Sequence, residues 1–165
     1  MKIAQLAILQ AVITVKGGVA MSEPIKIELT IPSISDYVGV ARLTASGIAS
    51  RMKFSHEEIE DIKIAVSEAC TNAVQYAYGD HVGQIKLVFT IQDQYLEICV
   101  KDNGKGFDVS APVEEASQDP DKIGLGLGIV FMRSLMDKVE YKSSVDQGTE
   151  VVMIKKLSVA HSADM

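Results

Sequence analysis

Between Ile25 and Ile31 apolar and polar residues alternate, with Ile25, Ile27, Leu29 and Ile31 set against Lys26, Glu28 and Thr30. That period of two predicts a half-buried strand, which Pro32 ends. The period then lengthens. Tyr37, Val40, Thr44, Ile48 and Met52 recur at helical spacing behind Ser33 and Asp36, which stand three apart in capping-box manner. Ser55 and Glu58 repeat the start signal and open a longer helix. Its apolar stripe is Ile59, Ile62, Val66, Cys70, Ala73 and Ala77, and it can run to Tyr78 with Gly79 as a left-handed stop. Ile85 to Ile91 and Tyr95 to Val100 read as strands joined at Gln92-Asp93-Gln94, a hairpin. Residues 101–123 hold glycine, proline and acids without a sustained period, a loop of the length that is usually functional or disordered. Gly124 to Lys138 reads as a third helix. Val139 to Val145 and Glu150 to Leu157 read as a closing hairpin turned at Asp146-Gln147-Gly148.

Helices in one group and hairpins in another, without βαβ alternation, predict an α/β (α+β) two-layer sandwich. The expected sheet is a mainly antiparallel mixed sheet of about five strands, with about three helices on one face. The 165 residues suit one domain. Residues 1–21 read as an N-terminal extension ahead of a second methionine at Met21, 22–157 as the working domain, and 158–165 as a frayed tail. Met1-Lys2 followed by the apolar Ile3 to Val15 has the outline of a signal peptide, but Gln5, Gln10 and Thr14 interrupt it. A hydrophobic fraction of 47% and a charged fraction of 23% are those of a globular chain. With 16 Lys+Arg against 22 Asp+Glu, the net charge of -6 argues against direct binding of nucleic acid. No run of 18 apolar residues is present to cross a membrane, and two thiols in apolar runs fit a reducing cytosol, the cytoplasmic location expected. Cys70 and Cys99 sit in apolar runs as core thiols, and His56, His81 and His161 are too scattered for a metal site.

Three groups of residues carry candidate chemistry. Glu68 and Asn72 stand four apart on the long helix, side by side and nearly opposite its apolar stripe. Alone, they are an ordinary solvated pair. Asp102 shares parity with Leu96, Ile98 and Val100, so its carboxylate points to the core side of its strand. A carboxylate aimed there costs several kcal/mol unless a donor meets it, and an adenine amine is one such donor. Gly104 and Gly106 follow it and would admit a flat ring against the backbone. Gly124-Leu125-Gly126-Leu127-Gly128 opens the third helix, where free N–H groups and the helix dipole make a phosphate cradle. It is neither a Rossmann fingerprint, which needs glycine at Ile129, nor a P-loop. Arg42 falls about 200° from the first helix's stripe, beside Ala45 and Ala49, as a candidate docking residue.

Taken in order, E-A-C-T-N, D-N-G-K-G, G-L-G-L-G and Gly148-Thr149 resemble the N box, two glycine boxes and terminal GT of the GHKL (Bergerat-fold) ATP-binding superfamily. The resemblance covers roughly residues 25–157. Within it, Glu60 to Gln75 and Arg42 to Gly47 are similar to the RsbW-like serine-protein kinases and anti-sigma factors. The resemblance implies ATP/ADP and Mg²⁺ as cofactors. It implies Glu68 as catalytic base, and Asn72 as both nucleotide-binding residue and metal ligand. By the same likeness Asp102, Gly104, Gly106 and Thr149 hold the adenine, Gly124, Leu125, Gly126, Leu127 and Gly128 hold the phosphates, and residues 109–123 form the ATP lid. Tyr76 stands where many relatives carry histidine. The implied function is ATP-dependent phosphorylation of a serine on an anti-anti-sigma (STAS-type) protein, coupled to sequestration of a sigma factor by a homodimer. The alternatives are a switch kinase acting on a stressosome-type scaffold, and a non-catalytic, nucleotide-gated binding module.

Overall fold

The computed structural model describes residues 14–16, 23–106 and 123–158. The segment expected as the ATP lid, up to residue 122, lies outside the described residues, as do most of the N-terminal extension and residues 159–165 of the tail. In chain order the elements are β1 (Thr14–Lys16), β2 (Ile25–Pro32), α1 (Ser35–Arg51), α2 (His56–Tyr76), β3 (Gln84–Ile91), β4 (Tyr95–Asp102), α3 (Ile123–Leu135), β5 (Lys138–Ser143) and β6 (Thr149–Lys156). The strands form one sheet in the order β1-β2-β3-β4-β6-β5. Every pairing described is antiparallel, so the mixed element expected of the sheet does not arise among the described residues.

The alternation read in β2 continues across the sheet. Leu29 pairs with Leu87, Leu87 with Val100, and Val100 with Val151, so one face presents a continuous apolar row to the helices. Phe89, Leu29, Ile85, Leu87, Leu96, Ile98 and Met153 are fully buried there. Each such side chain contributes about 1.5–3 kcal/mol relative to exposure. α2 lays Ile62, Val66 and Cys70 against this face, and α3 adds Met132. The capping box of α2 is complete, with Glu58 N–H donating to Ser55 Oγ at 3.2 Å and Ser55 N–H to the Glu58 carboxylate at 2.7 Å. Gly79 has φ of +60°, the left-handed stop expected after α2.

Cys70 is a core thiol as expected, but Cys99 is half-buried on the sheet face away from the helices, and α2 ends at Tyr76 rather than Tyr78. Four further features differ from expectation. A sixth strand, β1, pairs with β2 inside the segment read as an extension (Thr14 opposite Glu28); three residues are too few to show a period. α1 turns a shifted face to the core: Tyr37, Ile48 and Met52 of the expected stripe pack there, joined by alanines from beside it. Ala41, Ala45, Ile48 and Ala49 are buried, whereas Val40 is exposed, because small side chains let α1 lie close on α2. Ala45 and Ala49 therefore do not flank Arg42 on a surface, although Arg42 itself is exposed. Ser33 does not cap α1, whose N-cap is Ile34; it exchanges two bonds with Gly83 instead (Ser33 N–H to Gly83 O, 2.9 Å; Gly83 N–H to Ser33 Oγ, 2.8 Å). Finally, α3 stops at Leu135, where Lys155 Nζ donates to the Leu135 carbonyl (2.6 Å) and pairs with Asp61 (2.9 Å), and the Asp137 N–H turns to Ile154 O (2.9 Å).

Candidate functional site

α2 carries Glu68 and Asn72 on one face, and both are half-buried rather than solvated. The cover is α3. A methyl group added at Gly128 would lie 3.1 Å from Glu68 Oε2 and 3.3 and 3.4 Å from Asn72 Nδ2 and Oδ1. Glycine is what lets the third helix approach the two polar side chains this closely. Asn72 Nδ2 is buried without a hydrogen-bond partner among the described residues. An unmet buried donor costs about 1–3 kcal/mol. Beside Glu68 opens a depression of ≈ 380 Å³ walled by Glu68, Leu127, Gly128, Val130, Phe131 and Ser134.

α3 begins at Ile123, so Gly124, Leu125, Gly126, Leu127 and Gly128 occupy its first two turns. N–H groups in a first helical turn have no partner within the helix and carry the positive end of the dipole. Glycine within a helix costs about 0.8–1 kcal/mol relative to alanine. At Gly126 no packing among the described residues accounts for it, since a methyl group there would meet none of their atoms within 4 Å. That space is suited to a ligand approaching the backbone.

Asp102, the last residue of β4, pairs with Ile85 on one side and Thr149 on the other. Its side chain is buried on the core side, as parity requires. Oδ1 accepts from the Gly104 N–H (2.9 Å) and the Thr149 N–H (3.2 Å), and no hydrogen bond among the described residues reaches Oδ2. Burial raises the Asp102 pKa above the ordinary carboxylate value, and the two N–H donors oppose that shift. The Thr149 hydroxyl shares a 2.9 Å hydrogen bond with Ser143 Oγ.

The glycines around Asp102 admit protein backbone. A methyl group at Gly104 would lie 2.2 Å from Ala77 O, one at Gly106 2.1 Å from Ser144 O, and one at Gly148 2.1 Å from Asp102 O. The D-N-G-K-G turn is thus clamped between the end of α2 and the β5–β6 turn, with Lys105 N–H donating to Ala77 O (2.8 Å) and Asp146 N–H to Lys105 O (2.7 Å). The structure therefore gathers Glu68, Asn72, Leu127 and Gly128 at one end of α3, and Asp102, Gly104, Gly106 and Thr149 in a second group. Sequence reasoning missed Tyr78. Its hydroxyl accepts from Asn103 N–H (2.9 Å) and donates to Gln84 O (2.5 Å). Its position after the α2 stripe gave no sign of either bond.

Among the described residues no cluster of three or more His, Cys, Asp or Glu could hold a metal alone. The oxygens of Asn72 and Glu68 are hard donors that fit Mg²⁺, an ion that commonly keeps waters and shares substrate phosphates.

Residues 31–155 match the family described as the histidine kinase-like ATPase domain. Over 142 residues the chain is 42% identical to the serine-protein kinase RsbW of Bacillus thuringiensis (strain Al Hakam), covering 79% of this chain and 84% of that relative. The same values hold for proteins of that name from Bacillus cereus (strain AH820) and Bacillus anthracis (strain A0248). Among solved structures, the crystal structure of the RsbU and RsbW domains of a Mycobacterium tuberculosis protein is similar, with a TM-score of 0.60 at 18% identity. The alignment covers 80% of this chain and 32% of that longer one, and this likeness bears on the fold alone.

Proposed function

Because the chain belongs to the histidine kinase-like ATPase domain family and, within it, to the RsbW serine-protein kinases, we propose that it is the kinase and anti-sigma factor of a partner-switching pair. It phosphorylates a serine of a STAS-type anti-anti-sigma protein and sequesters a sigma factor when that antagonist is phosphorylated. The observation that carries the catalytic part is the convergence of a carboxylate, an unpartnered amide and a helix-borne glycine at Glu68, Asn72 and Gly128.

Glu68 lines the open depression, so an acceptor hydroxyl entering there reaches a carboxylate able to take its proton. Leu127, Val130 and Phe131 wall the same depression and are exposed, an apolar surface for the incoming protein to cover. Asn72 Oδ1 would hold Mg²⁺, and its Nδ2–H is free to donate to a phosphate oxygen. When bound, the ion neutralises phosphate charge as the phosphoryl group moves. The first turn of α3 adds N–H donors to the same end. At the other end Asp102 offers Oδ2 to the adenine amine, and Gly104, Gly106 and Thr149 hold it in place.

We further propose a cytoplasmic homodimer. No helix among the described residues is long and apolar enough to cross a membrane. The face of the sheet away from the helices carries Val88, Cys99 and Val152 in register, an apolar row suited to a second copy.

The test is phosphoryl transfer from Mg²⁺–ATP to a STAS-type antagonist, with the modified residue located by mass spectrometry. Wild-type protein should yield phosphoserine. Glu68→Ala should bind ADP normally and transfer on the order of 10²–10⁴ more slowly. Transfer at the wild-type rate by Glu68→Ala would overturn the assignment.

A further inference from the structure

Tyr78 follows α2 directly and is buried. A phenol has one hydrogen to give and two lone pairs to offer. Here the hydrogen goes to the carbonyl of Gln84, the first residue of β3, at 2.5 Å, and a lone pair receives the Asn103 N–H at 2.9 Å. The ring cannot drift from this position. Its carbons would lie 2.2 to 2.4 Å from a methyl group placed on Gly83, so Gly83 forms its wall. Gly83 is itself fixed by its two bonds with Ser33. His81 meets the ring edge-on, with centroids 5.7 Å apart and planes at 71°.

The group that Tyr78 holds is the peptide joining Asp102 to Asn103. Its N–H is bound to the phenol. Its carbonyl, Asp102 O, lies so close to Gly148 that a methyl group there would stand at 2.1 Å. Fixing both ends of one peptide plane fixes the backbone from which the Asp102 carboxylate projects. The remaining bonds to that carboxylate both fall on Oδ1. Asp102 itself is paired in the ladder with Ile85 and Thr149, and Tyr78 holds the N–H of Asn103, the first residue beyond that ladder.

We propose that Tyr78 is a positioning residue for base selection: by anchoring the Asp102–Asn103 peptide to the start of β3, it aims Asp102 Oδ2 at the amino group of an adenine nucleotide. The inference rests on the reading of Asp102 as the adenine acceptor. It assigns to Tyr78 the sharpness of the choice between adenine, which carries an amine donor, and hypoxanthine, which carries a carbonyl in its place. A purely structural tyrosine would affect the binding of both nucleotides alike.

The experiment compares ADP with inosine diphosphate by calorimetry in the presence of Mg²⁺, for the wild-type protein and Tyr78→Phe. The phenylalanine ring keeps the packing and loses only the hydroxyl. Wild-type protein should bind ADP more tightly than inosine diphosphate. In Tyr78→Phe the affinity for ADP should fall about two- to tenfold, the worth of one net hydrogen bond, with a smaller change for inosine diphosphate. An unchanged ratio of the two dissociation constants in a folded Tyr78→Phe overturns the role of Tyr78. A wild-type protein that does not distinguish the two nucleotides overturns the reading of Asp102 beneath it. Should Tyr78→Phe fail to fold, amide exchange in the wild-type protein decides. Strong protection of the Asn103 N–H without ligand supports the anchor, and exchange at the rate of an open peptide refutes it.

Discussion

Replacing Asp102 by asparagine separates the two tasks of this carboxylate. The substitution keeps the shape, and the amide oxygen can still accept from Gly104 N–H and Thr149 N–H. What changes is the second atom. Where Oδ2 has no described partner, the variant presents an NH₂ that meets the adenine amine donor to donor. Loss of a buried acceptor costs about 1–3 kcal/mol, or roughly 5- to 150-fold in the dissociation constant of ADP. Stability should move the other way. Burial raises the pKa of Asp102 in the folded protein above its unfolded value. A raised carboxyl pKa contributes stability below the unfolded value, near 3.8, and loses it as pH rises through the folded value. At pH 7 the charged, buried form is therefore the unfavourable one, and asparagine removes that cost. Calorimetry with ADP should show the loss of affinity, while thermal unfolding at pH 7 without ligand should show a midpoint no lower than wild type. That relative advantage should shrink on acidification through the raised pKa. In the wild-type protein ADP affinity should fall over the same interval, as the acceptor becomes protonated. Near-wild-type affinity in a folded Asp102→Asn would remove Asp102 from the nucleotide site, and a marked drop in midpoint would make it a structural pin first.

Three other substitutions test the remaining parts. Asn72→Ala should weaken ADP binding in Mg²⁺ but leave the weaker binding in EDTA nearly unchanged; equal losses in both conditions would argue against a metal ligand. Gly128→Ala should slow phosphoryl transfer, because its methyl group would lie 3.1 Å from Glu68 Oε2, a contact that opposes the helix-propensity gain of about 0.5–1 kcal/mol; a fully active variant would show that the close approach is dispensable. Arg42→Glu should weaken sigma factor and antagonist by roughly 2 kcal/mol each if both dock on α1, with ADP affinity unchanged; undiminished binding of both would leave Arg42 as surface.

The sequence was most readable where a local signal and a tertiary demand coincide. The alternation of β2, the hairpin of β3 and β4, the Ser55–Glu58 box and the left-handed Gly79 all record constraints within a few residues. Asp102 was readable because strand parity alone sends its side chain toward the core. The face of α1 was not. Its contact with α2 is made by Ala41, Ala45 and Ala49, whose small apolar surfaces weigh little in a hydrophobic stripe. Ser33 misled for a related reason, since the same hydroxyl can cap a helix or bind a backbone N–H far along the chain, and here Gly83 took it. Tyr78 left no trace, because both partners of its hydroxyl are main-chain groups that no side-chain pattern reports. For Glu68 and Asn72 the spacing showed that the side chains share a face, but only the placement of Gly128 shows that this face is covered.

The two ends of the site are built to different stiffness, and the chemistry calls for that difference. Around Asp102 the backbone is held by the end of α2, by β6 and by the β5–β6 turn, each through a named hydrogen bond or a contact that admits no Cβ. Reading one hydrogen-bond donor on a flat base requires an acceptor fixed before the base arrives, since ordering it on binding would consume the affinity gained. The proposed phosphate end lies at a helix start that carries Gly126 and Gly128, with Leu127, Val130 and Phe131 turned to solvent. A group that must meet phosphate, an incoming hydroxyl and then a departing product benefits from a surface that rearranges at low cost. Substitutions that alter α3 should therefore change the rate of transfer more than the choice of base. Those that loosen the Asp102 turn should change the choice of base more than the rate.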